Sequence, residues 1–169
     1  MPPSPTFSIR RATREDVPAI VNLVAALAEF ERLRHEMRAT AAQFEQYGFG
    51  ETAYYQALIA ETGEGKAVGF ALYFFTFSTF VGKPTLKLED LFVLPPYRGQ
   101  GLGRQLLAEL AVIARERDCG RMEWDVLDWN EPAIRFYQSL NAAPLSEWIT
   151  YRLLPPDIEE LSKMAERNG

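Results

Sequence analysis

The chain has few residues of the kinds that build disulfides and metal sites. Its 169 residues include one cysteine, Cys119, and one histidine, His35. A single cysteine excludes an internal disulfide and is compatible with a reducing compartment, and one Cys with one His cannot supply the usual zinc ligands. No apolar run approaches the roughly 20 residues that a membrane-spanning helix needs. The opening residues MPPSPTFSIRR lack the charged and apolar regions of a signal peptide, so we expect a cytoplasmic protein. The scarcity of cysteine and histidine leads us to expect no metal site.

The overall composition is that of one acidic, globular chain. The net charge is −5 and 47% of the residues are hydrophobic, which is enough for one sizeable core. The acidic balance disfavours nucleic acid as a partner and is mildly favourable for a cationic substrate. No repeat, low-complexity segment or linker is evident, so the sequence predicts a single domain over residues 1–169 that binds neither nucleic acid nor membrane.

Hydrophobic periodicity and turn residues predict an α/β order of elements. The predicted strands cover residues 7–11, 55–61, 67–79, 86–94, 122–127 and 148–153. The predicted helices cover residues 13–32 (with Thr13 and Asp16 at its start), 34–50 (with its own start at Thr40), 102–117, 130–142 (capped by Asn130) and 157–166. Long antiparallel strands come first and a β-α-β-α-β run follows, so the predicted fold class is α/β, with a mixed central β-sheet flanked by helices on both faces.

The most informative segment is LEDLFVLPPYRGQGLGRQLL, from Leu88 to Leu107. An apolar strand meets a Pro-Pro break, after which Gly99, Gly101 and Gly103 alternate with other residues before a helix. Glycines remove Cβ atoms, so backbone N–H groups can approach a ligand closely. The helix start adds unpaired N–H groups and the positive end of the helix dipole. Such a segment is typical of a phosphate-binding site, and Arg98 adds a fixed positive charge at its entrance.

Two common phosphate motifs do not fit this segment. A P-loop would need Lys-Ser or Lys-Thr after Gly103, where the chain has Arg104 and Gln105. A dinucleotide-binding G-x-G-x-x-G starting at Gly99 would need a small residue at Arg104. The pattern that fits is R-x-x-G-x-G starting at Arg98, which resembles the acetyl-CoA pyrophosphate loop of the GNAT N-acetyltransferases. The alternative is a glycine-rich connection that binds no ligand.

The resemblance extends beyond the glycine loop to the diamine (spermidine/spermine-type) acetyltransferase branch of that superfamily. Five blocks in order carry it: GFGE at 48–51, VGFALYFFTF at 68–77, LEDLFV at 88–93, YRGQGLG at 97–103 and WNEPAIRFY at 129–137. The resemblance implies the GNAT fold, acetyl-CoA as co-substrate, a small-molecule amine as acceptor and a homodimer. It also implies cofactor contacts at Leu91, Phe92, Val93, Arg98, Gly99, Gln100, Gly101, Leu102, Gly103, Arg104, Asn130 and Ala133.

Acyl transfer to an amine needs a group that removes a proton. An alkyl ammonium has a pKa of about 10.4, so only about one molecule in a few thousand is neutral at pH 7. Glu89 and Asp90 are neighbours on the strand before the glycine loop, and strict alternation sends their side chains to opposite faces. The resemblance implies that Glu89 lies on the substrate side and takes the proton through a water molecule. The alternative is an acid that only solvates a strand end; Asp90 and Asp125 are the next candidates for the base.

Departure of CoA needs a proton donor, since its thiolate should have a pKa near the 8.5 or so of a cysteine. The resemblance implies that Tyr137 is this general acid. The alternative is a tyrosine that packs its ring in the core. Cys119 is a candidate for an acyl-cysteine intermediate, but a small buried thiol is favoured, so we expect direct attack in a ternary complex.

The acceptor amine is the least determined feature. The resemblance implies substrate contacts at Phe30, Glu31, Glu89, Glu123 and Asp125. Phe30 replaces a tyrosine of the family, and Glu123-Trp124-Asp125 differs from the expected His-Phe-Leu, which favours another cation such as an amino-acid side chain. Two other functions stay open: an acetyltransferase for a protein lysine or N-terminus, and a non-catalytic acyl-CoA sensor. The aromatic run FFTFSTF at 74–80, if it covers the site, favours a small molecule.

Overall fold

A computed structural model describes residues 6–166, which divide into two compact units, the first ending at Asp125 and the second beginning at Val126. The first unit contains the strands β1 (Phe7–Arg11), β2 (Gln56–Thr62), β3 (Ala67–Ser78), β4 (Lys83–Val93) and β5 (Arg121–Trp124). It also contains the helices α1 (Val17–Phe30), α2 (Ala41–Phe49) and α3 (Leu102–Glu116). The second unit contains α4 (Glu131–Gln138) and α5 (Pro155–Glu166).

The five strands form one mixed sheet in the order β1-β2-β3-β4-β5. The first four strands are antiparallel neighbours, and β5 lies parallel to β4. The parallel pair requires a crossover, which α3 supplies between the end of β4 and the start of β5. The α/β class with a mixed sheet that the sequence predicts is therefore confirmed.

One face of the sheet packs against α1. The helix buries Ile20, Leu23 and Leu27, which fall on one side of a 3.6-residue repeat, in a cluster with Phe70 and Phe92 of the two central strands. The helix begins just after Thr13 and Asp16, whose side chains bond across the preceding turn as the sequence predicts for a helix start. Its end at Phe30 brings Glu31 to the same face of β4.

The other face packs against α3. This helix buries a continuous apolar side: Leu102, Leu106, Leu107, Leu110, Ile113 and Ala114. Tyr73 and Leu88, directly paired across β3 and β4, are fully buried and alternate with the residues that face α1. Helices therefore cover both faces of the central strands. For this reason residues 68–73 of β3 are all buried, without the alternation of a strand that has one exposed face.

The last two predicted strands differ from the structure. The strand expected at 122–127 ends at Trp124, since its pairing with β4 stops at the Leu88–Trp124 pair. The structure also assigns no strand to residues 148–153, so that prediction is wrong. Alternation alone does not make a strand; a strand also needs a main-chain partner, and no strand among residues 6–166 pairs with this segment. No helix within the described residues has the length and apolarity to cross a bilayer.

Candidate active site

The glycine segment forms a tight connection between β4 and α3. Gly99 and Gly101 have φ angles of +75° and +83°, in the left-handed region that favours glycine. Gly101 is the residue that precedes the first turn of α3, and the first helical bond runs from the Gln105 N–H to the Gly101 carbonyl. The first N–H groups of an α-helix have no partner within it, and those of Leu102 and Gly103 lie at the positive end of α3.

The space around the three glycines of this segment is open. A Cβ atom built at Gly99 or Gly103 would meet no heavy atom within 4 Å, and one built at Gly101 would only touch the Gln105 side chain at 4.0 Å. Gly103 in addition has an ordinary helical φ, so neither backbone conformation nor crowding within the chain requires glycine there. An open surface lined by helix N–H groups is the arrangement that accepts a phosphate.

Arg98 has a structural role that its sequence position did not suggest. Its Nε donates a hydrogen bond to the Val93 carbonyl at 2.8 Å. Its guanidinium carbon lies 4.6 Å from the centre of the Phe30 ring and 5.1 Å from that of Phe92, and burial lowers the pKa of the group. Arg98 thus ties the end of α1 to the end of β4 at the entrance to the glycine segment through a cation–π stack.

The pairing of β3 with β4 shifts by one residue at Glu89. Leu72 pairs with Asp90 while Tyr73 pairs with Leu88, which leaves Glu89 as an extra residue on β4. Leu88 and Leu91 both lie opposite β3 residues that face away from α1. Glu89 and Asp90 together therefore occupy the one position between them that a regular strand would give to a single residue. The prediction that Glu89 and Asp90 point to opposite faces does not hold, because a bulge interrupts the pleat.

Three carboxylates meet at this bulge. Glu89 is exposed and Asp90 is half-buried by surface area. Burial, together with the negative charges of Glu89 and Glu31, raises the pKa of Asp90 to about 6. Burial also raises the pKa of Glu31 at the end of α1. Charges of one sign at close range disfavour full ionisation, so this cluster both attracts a cation and holds a carboxyl group that exchanges a proton near neutral pH.

The two acids predicted on the neighbouring strand already have cationic partners. The Asp125 carboxylate lies 2.7 Å from Lys87 Nζ, and the Glu123 carboxylate lies 2.8 Å from Arg121 Nε. Lys87 is the register partner of Glu123 across β4 and β5, and its ion pair is with Asp125, two residues further along the chain. Arg121 and Glu123 lie two residues apart on β5, so their side chains share one face of that strand. Neither acid belongs to the carboxylate cluster of Glu31, Glu89 and Asp90.

Three of the residues predicted to contact the cofactor lie at the C-terminal end of β4. Leu91, Phe92 and Val93 pair with β3 on one side. On the other side the pairing with β5 ends at Leu88, and β4 continues to Val93 with no further strand partner among residues 6–166. This leaves main-chain groups of β4 without a partner in β5, where an added strand or an extended ligand can pair.

The second unit contains the remaining predicted residues. The Asn130 side chain accepts a hydrogen bond from the Ala133 N–H at 3.4 Å, so the predicted cap of α4 is confirmed. Tyr137 is half-buried near the end of this helix, and its ring centre lies 5.4 Å from that of Phe136. The main-chain carbonyl of Tyr137 accepts bonds from Leu140 and Ala142, which end the helix.

The aromatic run at 74–80 does not lie at the glycine segment. Thr76 pairs with Thr85, which precedes Val93 by eight residues, or about 25 Å along the strand. Phe77 and Phe80 are 65% and 94% exposed at the tip of the β3–β4 hairpin. The run therefore gives no support for a covered, small-molecule site. Within the described residues, no group of three or more metal-ligating side chains is placed to hold a metal ion.

Comparison with known proteins places this geometry in a family. The model of the acetyltransferase (GNAT) family matches residues 17–142. The chain belongs to the GNAT acetyltransferase family. This GNAT chain is 35% identical over 164 residues to thialysine N-epsilon-acetyltransferase of Mus musculus, covering 91% of this chain and 96% of that protein. It is 38% identical over 165 residues to spermidine/spermine N(1)-acetyltransferase-like protein 1 of Homo sapiens, covering 94% of this chain and 24% of that protein.

The solved structures agree with this assignment. An integron cassette protein from the mobile metagenome of V. cholerae superposes with a TM-score of 0.77 at 27% identity, covering 93% of this chain and 98% of that chain. The GNAT fold and the resemblance to the diamine branch are confirmed. The chain is an N-acetyltransferase of a family that uses acetyl-CoA as co-substrate.

Three features of the site have no signal in the sequence. These are the bulge at Glu89, the approach of Glu31 to Asp90, and the position of the Arg98 guanidinium over the neighbouring rings of Phe30 and Phe92. Each joins residues from separate elements, so neither a motif nor a local period reports it. The glycine segment, by contrast, is a local structure, and its residue pattern alone locates it.

Proposed function

We propose that this protein transfers the acetyl group of acetyl-CoA to a primary amine of a small di- or polyamine or of a related amino acid. The observation that carries the proposal is the adjacency of two features in the first unit. An open glycine segment at the start of α3 suits a pyrophosphate, and a carboxylate cluster at the end of β4 suits an ammonium group. Arg98, bonded to Val93, links the two.

In this proposal the cofactor lies along the end of β4 and over the glycine segment. The pyrophosphate would accept hydrogen bonds from N–H groups between Gly99 and Arg104, where the glycines leave space for it. The pantetheine arm would extend beside Leu91 to Val93, whose main-chain groups are not paired with β5. An N–H group of this stretch would polarise the thioester carbonyl as negative charge develops on its oxygen.

The carboxylates have two tasks toward the amine. The negative charge of Glu89 and Glu31 would bind the substrate as its ammonium form, and one carboxylate would then accept a proton to release the nitrogen lone pair. We propose Glu89 for the proton transfer, through a water molecule, because it is the exposed member of the cluster. Asp90, with a pKa of about 6, is the alternative base, since efficient bases have pKa values close to the working pH.

The neutral amine would attack the thioester carbon directly in a ternary complex. The C–N bond forms as the C–S bond breaks, and the sulfur leaves as a thiolate that needs a proton. We propose that the hydroxyl of Tyr137 gives this proton, a role that the resemblance to the family implies for it. Asn130 and Ala133, at the start of the same helix, are proposed cofactor contacts.

Two acids that depart from the family pattern, Glu123 and Asp125, bear on which residues bind the amine of the substrate. Glu123 and Asp125 are each occupied by a cation of the chain, so we propose that the ammonium group is bound by Glu31 and Glu89 instead. The mouse relative is named for thialysine and the human one for spermidine and spermine. We propose an acceptor with an amine on a short alkyl chain, which both kinds of molecule share, used by a cytoplasmic homodimer.

One acceptor screen tests the substrate class. Initial rates of CoA release would be measured with spermidine, putrescine, lysine, thialysine, ornithine and an aminoglycoside, and with lysine-containing peptides as the alternative class. We expect the highest kcat/KM with one of the short alkyl amines. Turnover confined to peptides would support a protein acetyltransferase. Acetyl-CoA binding without turnover of any acceptor would support a non-catalytic sensor.

Matched variants test the assigned residues. Tyr137→Phe should lower kcat about 10²–10⁴-fold, the usual contribution of a general acid, with acetyl-CoA affinity unchanged. Glu89→Gln should raise KM for the amine as well as lower kcat, and its defect should shrink as the pH rises toward 9.5, because solution then supplies more neutral amine. Tyr151→Phe, at a tyrosine that is 90% exposed, is the control. Wild-type kcat/KM in both variants from pH 7 to 9.5 would refute the roles.

Steady-state kinetics test the order of events. A ternary complex predicts intersecting initial-velocity lines when both substrates are varied, and Cys119→Ser should retain activity. Parallel lines together with an inactive Cys119→Ser variant would instead indicate an acyl-cysteine intermediate.

A further inference from the structure

The end of α1 carries Glu31 and lies beyond the buried anchors of the helix. Leu27 is the last residue of α1 that is buried in the core. Phe30, one turn later, is 38% exposed, and none of residues 31–40 is buried. Segments with few buried apolar contacts open more readily than the core. The position of Glu31 therefore depends on contacts other than those of the hydrophobic core.

Main-chain bonds close the end of α1 in a defined turn. The Leu33 N–H donates to the Ala28 carbonyl at 2.8 Å. The Arg32 N–H donates to the Glu29 carbonyl at 3.1 Å, which completes the pair of bonds of a Schellman motif. Arg32 has a φ of +62°, the left-handed conformation that this motif requires. The turn defines the shape of the helix end, but both bonds are local, so they do not hold that end against the sheet.

Arg98 contacts this helix end from the side of β4. Its guanidinium carbon lies 4.6 Å from the centre of the Phe30 ring and 5.1 Å from that of Phe92. The Arg98 Nε donates to the Val93 carbonyl at 2.8 Å. The hydrogen bond and the two rings together restrict the guanidinium, which keeps the Phe30 ring beside β4. Because Phe30 precedes Glu31 in the chain, the same contact determines where Glu31 lies.

We propose that Arg98 is a positioning residue for the acceptor amine, because it holds Phe30 and thereby Glu31 at the end of β4. Glu31 there joins the carboxylates of Glu89 and Asp90. This inference rests on the proposed binding of the ammonium group by Glu31 and Glu89. It gives the arginine of the glycine motif a function toward the amine, in addition to any function toward the cofactor. Arg98 acts through the Phe30 ring and not by contact with the amine.

The position and the charge of Arg98 lead to opposite expectations. Its positive charge lies near a site that binds a cation, so the charge alone would repel the ammonium group. Loss of the charge would then strengthen amine binding. Loss of the stack instead releases the end of α1 and weakens amine binding, whether or not a charge is kept. A lysine keeps the charge but cannot both stack on Phe30 and bond Val93.

Steady-state kinetics at saturating acetyl-CoA separate these two effects, because saturation removes any change in cofactor affinity from the comparison. The KM values for spermidine and thialysine would be measured with the wild type, Arg98→Lys and Arg98→Gln. We expect both variants to raise the amine KM about three- to tenfold, the usual range for a partly exposed cation–π contact. The kcat should change less than about twofold, since binding and not proton transfer is affected. A lower KM in Arg98→Gln with a wild-type KM in Arg98→Lys would indicate a charge effect and overturn the positioning role.

A double-mutant cycle tests whether Arg98 acts through Phe30. Phe30→Leu removes the ring and leaves the arginine in place, so adding Arg98→Lys should then change the amine KM little further. Effects of the two substitutions that multiply in full would show that the residues act independently and would overturn the proposal.

Arg10→Lys is the matched control. The two Nη atoms of Arg10 bond the Asp16 carboxylate at 2.7 and 2.8 Å, just before the start of α1. The substitution should weaken the attachment of the same helix at its other end and leave the amine KM unchanged. An equal rise of KM in Arg10→Lys would mean that general loosening of α1 is responsible, and would overturn a specific role of Arg98.

Titration of the Glu31 carboxyl group by nuclear magnetic resonance tests its position without any turnover. Burial raises the pKa of Glu31 in the folded protein. In Arg98→Lys the released helix end should expose the carboxyl group, so its pKa should fall toward the ordinary value. Loss of a nearby cation alone, as in Arg98→Gln, would instead raise this pKa, because a cation favours the ionised form.

The outcomes distinguish this inference from the proposed function. Failure to acetylate any of the screened amines overturns the proposed function, while the Glu31 titration still decides the role of Arg98. Normal turnover with an amine KM within twofold of the wild type in Arg98→Lys overturns the positioning role alone. So does a Glu31 pKa that stays the same or rises in Arg98→Lys. Circular dichroism checks each fold, and if Arg98→Lys does not fold, Phe30→Leu is subject to the same two criteria.

Discussion

The ionised carboxylate of Asp90 lowers the unfolding free energy of the protein at neutral pH, so removing its charge should stabilise the fold. Its pKa rises from 3.8 to about 6 because of burial and the neighbouring charges of Glu89 and Glu31. A carboxyl whose folded pKa is raised binds its proton more tightly in the folded state. Protonated Asp90 costs no stability below a pH of about 3.8. As the pH rises, the unfolded chain loses this proton more readily than the folded protein, so the unfolding free energy falls until the pH passes about 6.

The size of the effect follows from the shift. Each unit of pKa difference corresponds to about 1.4 kcal/mol, so the raised pKa of about 6 lowers the unfolding free energy by about 3 kcal/mol at pH 7.5. At pH 4.5 the same calculation gives about 1 kcal/mol. Asp90→Asn removes the titration while keeping the shape, so it should stabilise the protein more at pH 7.5 than at pH 4.5, by about 2 kcal/mol.

Urea unfolding of the wild type and of Asp90→Asn at the two pH values measures this difference. Tryptophan fluorescence and far-ultraviolet circular dichroism should be followed together, since coincident transitions test whether a chain with two compact units unfolds in a single step. Asp128→Asn, at an exposed aspartate, controls for the loss of one carboxylate and should give the same small change at both pH values.

The pH dependence is what decides the interpretation. A gain from Asp90→Asn that is equal at both pH values would mean that packing, and not the charge, is responsible. A loss of stability at pH 7.5 would mean that the folded state stabilises the ionised carboxylate, and the grouping of Asp90 with Glu89 and Glu31 would then not explain its environment.

The remaining predictions concern the cofactor segment and the core. Gly103→Val should weaken acetyl-CoA binding by at least about tenfold in calorimetry with little change in unfolding free energy, because a side chain there meets open space and not strain; unchanged binding would show that Gly103 is not beside the cofactor. Gly101→Val should lose both, since its φ of +83° adds about 1–2 kcal/mol of backbone strain. Arg98→Lys should lower the unfolding free energy by about 1–2 kcal/mol and raise KM for acetyl-CoA, because lysine cannot both stack on Phe30 and Phe92 and bond Val93. An unaffected KM would show that these contacts of Arg98 do not influence cofactor binding at the glycine segment. Tyr73→Phe should cost about 1 kcal/mol, measured by urea unfolding, for the hydrogen bond from its hydroxyl to Gln56 at 3.0 Å.

The sequence by itself determined the features that depend on neighbouring residues. Thr40 and Asn130 cap the helices they were predicted to cap, because a cap involves only the next three residues. The glycine segment is found at the predicted turn, because positive φ angles favour glycine over other residues. The alternation of elements was enough to predict a mixed sheet, since a parallel pair needs a helix-length crossover.

Only the tertiary structure decided how distant residues meet. The bulge at Glu89 results from the register between β3 and β4, and it breaks the alternation that separated Glu89 from Asp90 in the sequence prediction. Arg98 reaches Phe30 across 68 positions only because α1 packs on the face of β4 that holds Phe92. Residues 148–153 alternate like a strand yet form none, because strand formation depends on a main-chain partner elsewhere in the fold.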